Sequence, residues 1–349
     1  DAFRVRRVVE NGAGRFLSRE GERFCNFSSN DYLGLSQHPQ IVRAWQQGAD
    51  RYGVGSGGSG HVSGYTTAHQ ALEEELADWL GYPRALLFIS GFAANQAVIA
   101  ALMGKDDRIT ADRLSHASLL EAASLSPAQL RRFAHNDASQ LNVLLGKPCS
   151  GLQLAVTEGV FSMDGDVADL PSLVRLKDKY KACLIVDDAH ATGVIGETGR
   201  GTAEYYHMEG IDIQVGTLSK SLGSEGGFAA ASRQITDYLR NRSRPFIFST
   251  SISAATGAAA LAALRLLERN PETYMGALRR NTGYMKEKLT EAGIPFLPGD
   301  TSIIPIVMGR EEAAMEYAAR CRERGILLSA IRPPSVPAGT SRIRLTVTA

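Results

Sequence analysis

From about residue 85 to residue 250 one pattern repeats: a short apolar run, then a longer stretch with apolar residues at helical spacing. The runs at 85–90, 108–111, 130–133, 152–157, 183–187, 211–215, 227–230 and 246–249 read as strands, with helices between most of them. Such alternation predicts an α/β architecture, a mostly parallel sheet covered by helices on both faces. Ahead of it, a hairpin-like segment near 15–27 is followed by amphipathic helices over about 39–51 and 68–80. Beyond a long helical stretch at 254–292 the pattern changes. Apolar pieces at 303–307, 326–329 and 342–347, with a helix near 311–324, read as a smaller α+β domain. The expected division is an N-terminal arm and hairpin at 1–38, a large domain at 39–270 and a small C-terminal domain at 271–349.

Composition narrows the class without changing it. A chain of 349 residues is long enough for a large domain and a smaller one. With 44% apolar and 21% charged residues it buries an ordinary globular core. A net charge of +1 gives no electrostatic reason to expect nucleic acid or a membrane as partner. Cys25, Cys149, Cys183 and Cys321 are scattered, which fits reduced thiols in the cytoplasm better than a disulfide framework. No stretch reads as a signal peptide or a membrane span. The start at Asp1 and the strand-like 342–349 leave room for further residues at either end.

The glycine-rich run at 53–64 satisfies G-x-G-x-x-G twice, through Gly53, Gly55 and Gly58 and through Gly55, Gly57 and Gly60. A dinucleotide site needs a strand before and a helix after. Here a helix precedes and coil follows, so that reading is rejected. His61 and Tyr65 interrupt the run and argue against a flexible linker.

Candidate chemistry gathers where predicted strands end, the usual location of sites in open α/β sheets. Lys220 follows the strand at 211–215, and Gly226 and Gly227 come shortly after it. A lysine in that place is, by itself, most often a surface charge. Asp187 ends another apolar strand, with His190 three residues on. A buried carboxylate needs a cation or donor partner. Both residues are competent metal ligands, although no further ligands follow at recognisable spacing; a heteroaromatic cation is the other partner. Ser90-Gly91-Phe92 turns from a strand into a helix N-terminus, whose free amides favour a phosphate. His116 starts a helix after a strand, where its ring could stack on a flat ligand or serve structure alone. Glu158, Ser162 and Asp164 cluster at a further strand end, where turn or capping duties are equally available.

Seven blocks along the chain resemble the α-oxoamine synthase family of fold-type I pyridoxal-phosphate enzymes. They are 26–35 (NFSSNDYLGL), 55–65 (GSGGSGHVSGY), 88–95 (FISGFAAN), 157–166 (TEGVFSMDGD), 186–193 (VDDAHATG), 216–220 (GTLSK) and 330–344 (AIRPPSVPAGTSRIR). The resemblance implies pyridoxal 5′-phosphate (PLP) held as a Schiff base on Lys220, which also moves the substrate's α-proton. It implies Asp187 on the pyridine N–H, His190 and Ser162 at the phenolic oxygen, and His116 stacked on the ring. Gly91, Phe92 and Thr217 would hold the cofactor and its phosphate. Arg344 would orient the amino-acid carboxylate, with Arg4, Asn30 and Ser335 near the acyl substrate. The last block favours the member that condenses L-alanine with a pimeloyl thioester, on coenzyme A or a carrier protein. The products are 8-amino-7-oxononanoate, carbon dioxide and free thiol, in biotin biosynthesis. Homodimers with the site at the subunit interface are the family's habit. A sibling using glycine and acetyl-CoA is the nearest alternative, and a silent binding protein on the same fold is the alternative of another kind.

Overall fold

The computed structural model describes residues 6–349. Its first element is a hairpin, β1 (Phe16–Arg19) and β2 (Glu22–Asn26), turned by Glu20 and Gly21, both at positive φ. Two helices follow, α1 (Pro39–Tyr52) and α2 (Thr67–Leu80). The next seven strands make one sheet: β3 (Arg84–Phe88), β4 (Arg108–Asp112), β5 (Gln129–Phe133), β6 (Gln153–Glu158), β7 (Cys183–Asp187), β8 (Ile213–Thr217) and β9 (Gly227–Ala231). Their spatial order is β3-β9-β8-β7-β6-β4-β5. Six run the same way, and β9 pairs antiparallel with both its neighbours.

Apolar β-branched residues build the centre of this sheet because both its faces are covered. Ile185, Val186, Ile213 and Val215 are each at most 1% exposed, and each contributes about 1.5–3 kcal/mol by leaving water. Two further helices matter to the site, α3 (Gly91–Leu102) after β3 and α4 (Ala117–Leu125) after β4. The same-direction strands bring their carboxyl ends to one edge. There Phe88, Asp112, Glu158, Asp187 and Thr217 terminate β3, β4, β6, β7 and β8.

Four strands remain: β10 (Ile303–Gly309), β11 (Ile326–Leu327), β12 (Ser329–Ile331) and β13 (Ser341–Thr346). A small antiparallel sheet has the order β10-β13-β12, while β11 joins β2 in parallel. The chain's beginning and end thus share a sheet. The small sheet is fastened to the loop after β6: Arg342 pairs with Asp164, and the Thr301 hydroxyl donates to the Gly165 carbonyl at 2.7 Å.

Three expectations need correction. The run at 246–249 is no strand; it belongs to the short helix Arg244–Phe248, started by Pro245 at its first turn. Of its two aromatics Phe246 packs on the fold, edge-on to Phe88 at 5.3 Å, while Phe248 is exposed. Periodicity over four residues cannot separate these cases. The stretch at 254–292 is two helices, Ala254–Arg269 and Ala277–Glu291, parted at Asn270-Pro271 and a π-turn at Glu272–Gly276. The strand expected at 211–215 is displaced to Ile213–Thr217. Among the described residues no helix is long and apolar enough to cross a membrane.

Candidate active site

The carboxyl edge of the sheet collects a lysine, two histidines, two carboxylates and an arginine. Asp187 and Glu158 sit side by side, paired in register at the ends of β7 and β6. Asp187 accepts from Asn95 Nδ2 at 2.6 Å and from the Ala189 amide at 2.9 Å. Asn95 comes from α3 and also donates to Ser118 Oγ at 2.9 Å. Glu158 accepts the Ser162 amide at 3.2 Å through Oε2, while its buried Oε1 has no partner. Burial foremost, then the neighbouring Asp187, pushes the Glu158 carboxyl well above the ordinary range.

Lys220 leaves the loop after β8 and reaches His190 Nε2 at 2.8 Å. Burial lowers its ammonium to about 8, against the opposing pull of Asp187 and Glu158 and with some help from Arg344. At that value roughly a tenth of the lysine is free amine, the nucleophile and base, at pH 7, far more than for an ordinary lysine. His190 is pushed well below its usual range, by burial first and then by Lys220, Arg344 and His116. It is therefore a neutral imidazole, and its Nδ1 lies 2.6 Å from the Tyr32 hydroxyl. Arg344, on β13, donates from Nε to the Ser162 carbonyl at 2.6 Å and from Nη1 to Thr346 Oγ1 at 2.8 Å. Its Nη2 donates to Asn30 Oδ1 at 3.1 Å and to Tyr32 Oη at 3.3 Å.

The phosphate-type cradle lies between β3 and α3. Ser90 caps α3 by accepting the Ala93 amide at 3.0 Å, and the first helical amides have no carbonyl of their own helix to meet. A Cβ on Gly91 would stand 3.3 Å from Thr217 Cβ, and one on Gly227 would stand 2.4 Å from the Gly91 nitrogen. The cradle closes only with glycine at 227, and a side chain at 91 would crowd Thr217. Thr217 Oγ1 donates to the Gly226 carbonyl at 2.9 Å and accepts from the Ser219 amide at 3.2 Å. His116 caps α4, with Nδ1 2.8 Å from Ser118 Oγ, and leaves its ring exposed beside Phe92. Burial lowers its pKa, as does Lys220, while Asp187 opposes them.

Lys220, Asp187, His190, Ser162, Arg344 and Asn30 are thus brought into one bonded network or its immediate neighbours, and Gly91 meets Thr217. Ser335 sits elsewhere, exposed in the turn after Pro334; its amide donates to the Arg332 carbonyl at 3.1 Å. It lines a cavity of about 520 Å³ with Arg7, Arg19 and Arg332. Arg4 lies outside the described residues. Sequence reasoning missed Tyr32, Asn95 and the burial of Glu158. Asn95 had a legible signal, an amide that with Gln96 interrupts a largely apolar helix; Tyr32 had none beyond its place in the block at 26–35.

These residues fit PLP. The orphaned Glu158 Oε1 and Asn95 Oδ1 are buried polar atoms on the two residues beside Asp187. Lys220 carries a lowered pKa suited to bonding an aldehyde, and the glycine cradle at the α3 N-terminus suits a phosphate. No group of three or more histidine, cysteine or carboxylate side chains among the described residues is arranged to hold a metal ion.

Known proteins lead to the same cofactor. The model of the aminotransferase class I and II family matches residues 22–349. An 8-amino-7-oxononanoate synthase from Enterobacter sp. (strain 638) is 60% identical, covering 100% of this chain and 91% of that protein. The protein of the same name from Klebsiella pneumoniae (strain 342) is 56% identical, again over 100% of this chain and 91% of its own. Among solved structures, SPT with its PLP internal aldimine superposes with a TM-score of 0.94 at 30% identity, covering 98% of this chain and 87% of that one. The 8-amino-7-oxononanoate synthase of Francisella tularensis gives a TM-score of 0.81 at 31% identity, covering 93% and 92%. The chain belongs to the class I and II aminotransferase family of PLP-dependent enzymes and, within it, to the 8-amino-7-oxononanoate synthases.

Proposed function

We propose that this enzyme condenses L-alanine with a pimeloyl thioester, releasing carbon dioxide and the thiol carrier and forming 8-amino-7-oxononanoate for biotin biosynthesis. The observation that carries the reading is the contact between a lysine of lowered pKa and a neutral histidine, placed beside two buried carboxyls and an anchored arginine. PLP, when bound, supplies an aldehyde for amine capture and a ring that withdraws the electron pair left at Cα.

In this reading Lys220 holds the cofactor and then, displaced by the substrate amine, takes and returns the proton at Cα. Asp187 keeps the pyridine nitrogen protonated, and Asn95 and the Ala189 amide fix the carboxylate for that task. His190 and Ser162 meet the phenolic oxygen, His116 covers a ring face, and Gly91, Phe92 and Thr217 bind the phosphate end. Arg344 orients the alanine carboxylate. Only one Nη1 hydrogen of its five N–H groups is uncommitted among the described residues, so a two-point grip displaces one present acceptor, Asn30 or Tyr32. Asn30, Ser335 and Arg4 attend the acyl chain. The arm, large and small units divide at residues 38 and 270.

A homodimer with the site at its interface is part of the proposal. The exposed Val42, Trp45, Val54 and Ile89 line one groove of about 710 Å³, and Ile89 directly precedes the Ser90 cap. An apolar stretch so close to the cradle suits burial by a second copy. The test is an assay pairing alanine, glycine or serine with pimeloyl, acetyl or long-chain acyl thioesters, on coenzyme A and on carrier protein. Alanine with pimeloyl should exceed every other pair in kcat/KM. Preference for glycine with acetyl-CoA would reassign the chain to a sibling activity.

A further inference from the structure

One bonded chain links the two ends of the site through a residue given no role so far. Tyr32 is fully buried, and its hydroxyl meets three groups: Arg344 Nη2 at 3.3 Å, Asn30 Oδ1 at 3.3 Å and His190 Nδ1 at 2.6 Å. His190 passes the connection on to Lys220 at 2.8 Å. Proton counting restricts how this chain is wired. A guanidinium only donates, so Arg344 occupies a lone pair on the Tyr32 oxygen. Arg344 also donates to Asn30 Oδ1, which identifies that atom as the amide oxygen. The single Tyr32 proton therefore has two acceptors, one 2.6 Å away and one 3.3 Å away. The shorter contact, to His190 Nδ1, takes it.

We propose that Tyr32 is a positioning residue that holds His190 as the Nε2–H tautomer, aiming that hydrogen at Lys220 Nζ when that amine is free and at the phenolic oxygen that PLP would bring. Arg344 strengthens the arrangement, because a cation donating to the Tyr32 oxygen makes the hydroxyl a better donor. The arginine that orients the substrate and the lysine that does the chemistry are thereby joined through two side chains. An Nδ1–H tautomer would need Tyr32 to turn its own proton to Asn30, the longer contact. The proposal rests on the reading of Lys220 and Arg344 as the groups flanking the substrate.

The test is nitrogen NMR of protein labelled with 15N-histidine, as holoenzyme and after cofactor removal. The His190 resonances are assigned by their disappearance in His190→Gln. With seven histidines in the chain the spectrum is readable. The expected result, with the cofactor-free spectrum taken at about pH 9 where Lys220 is a free amine able to accept, is a bare Nδ1 and a protonated Nε2 in both forms. In Tyr32→Phe, which keeps the ring and deletes the hydroxyl, the two resonances should move toward a tautomer average. kcat/KM should fall roughly tenfold, the loss of one ordinary hydrogen bond. A proton found on Nδ1 in the wild type overturns the proposal, whether or not Tyr32→Phe folds. Unchanged His190 resonances in a folded Tyr32→Phe overturn it equally. Neither result touches the assignment of Lys220, which is decided separately by mapping the cofactor-linked lysine.

Discussion

Two carboxylate–histidine clusters stand at carboxyl ends of the same sheet, and they do opposite things. At the end of β4, His135 is clamped between Asp112 and Asp166, with Nδ1 3.2 Å from one and Nε2 2.8 Å from the other. Its ring stands edge-on to Phe161 at 4.3 Å. Although burial works against the charge, the two carboxylates overcome it and raise the imidazolium to about 10. At the ends of β6 and β7 the charges do not close on one another. His190 is driven neutral, Lys220 is held near 8, and Glu158 keeps a bare oxygen. The first cluster is a latch in which both imidazole nitrogens are committed to carboxylates. The second leaves pKa values displaced toward reactivity, the usual mark of a site built around a ligand. Residue types do not separate the two; partner geometry does.

The most damaging change to the open cluster is Lys220→Ala. Turnover should fall at least about 10³-fold, the scale of a lost nucleophile and proton carrier, while the circular dichroism spectrum stays that of the wild type. Borohydride should fix PLP on wild-type protein at Lys220 and leave the variant unlabelled. A fixed cofactor mapped to another lysine would sink the assignment.

The two neighbouring carboxyls should then part company. Asp187→Asn removes the charge opposite the pyridine nitrogen, and α-proton exchange from alanine should drop about 100-fold, the upper range for a hydrogen bond to a charged group. Glu158→Gln replaces a carboxyl whose burial disfavours the charged form with a neutral group of the same shape. Its exchange rate should stay within about tenfold of wild type. Equal losses in both variants would mean that Glu158 works ionised.

Much of the open cluster was legible beforehand because it obeys local rules. Asp187 and Lys220 announce themselves as polar residues at or just past the ends of apolar strands, and Gly91 as a glycine between strand and helix. What stayed hidden is what tertiary contact decides. Tyr32 and His190 are 158 residues apart in sequence, and Arg344 reaches Asn30 across 314. The strand misread at 246–249 failed for a related reason, since Phe246 answers to Phe88 rather than to a ladder. His135 follows a strand much as His116 does, and nothing local indicates that it meets two carboxylates.

The closed cluster yields the mildest and most specific prediction, one of stability and not of catalysis. His135 has a folded pKa of about 10 against about 6.5 in an unfolded chain. A folded state that binds the proton more tightly gains stability fully present below about pH 6.5, lost as pH rises through 10. The ring is 27% exposed, so solvent screens part of the effect and the contribution is on the order of 2–3 kcal/mol. His135→Gln keeps hydrogen bonding but cannot carry the charge. Its urea midpoint should lie below that of the wild type at pH 6.5, and the two should converge toward pH 10. kcat for the variant should stay within about twofold at every pH where it is folded, because the latch is bonded through Asp112 and Asp166 and not through Lys220 or His190. A constant difference between the two midpoints from pH 6 to 10 would show that the imidazolium is not what the carboxylates hold. Loss of turnover in a folded variant would join the two clusters into a single site.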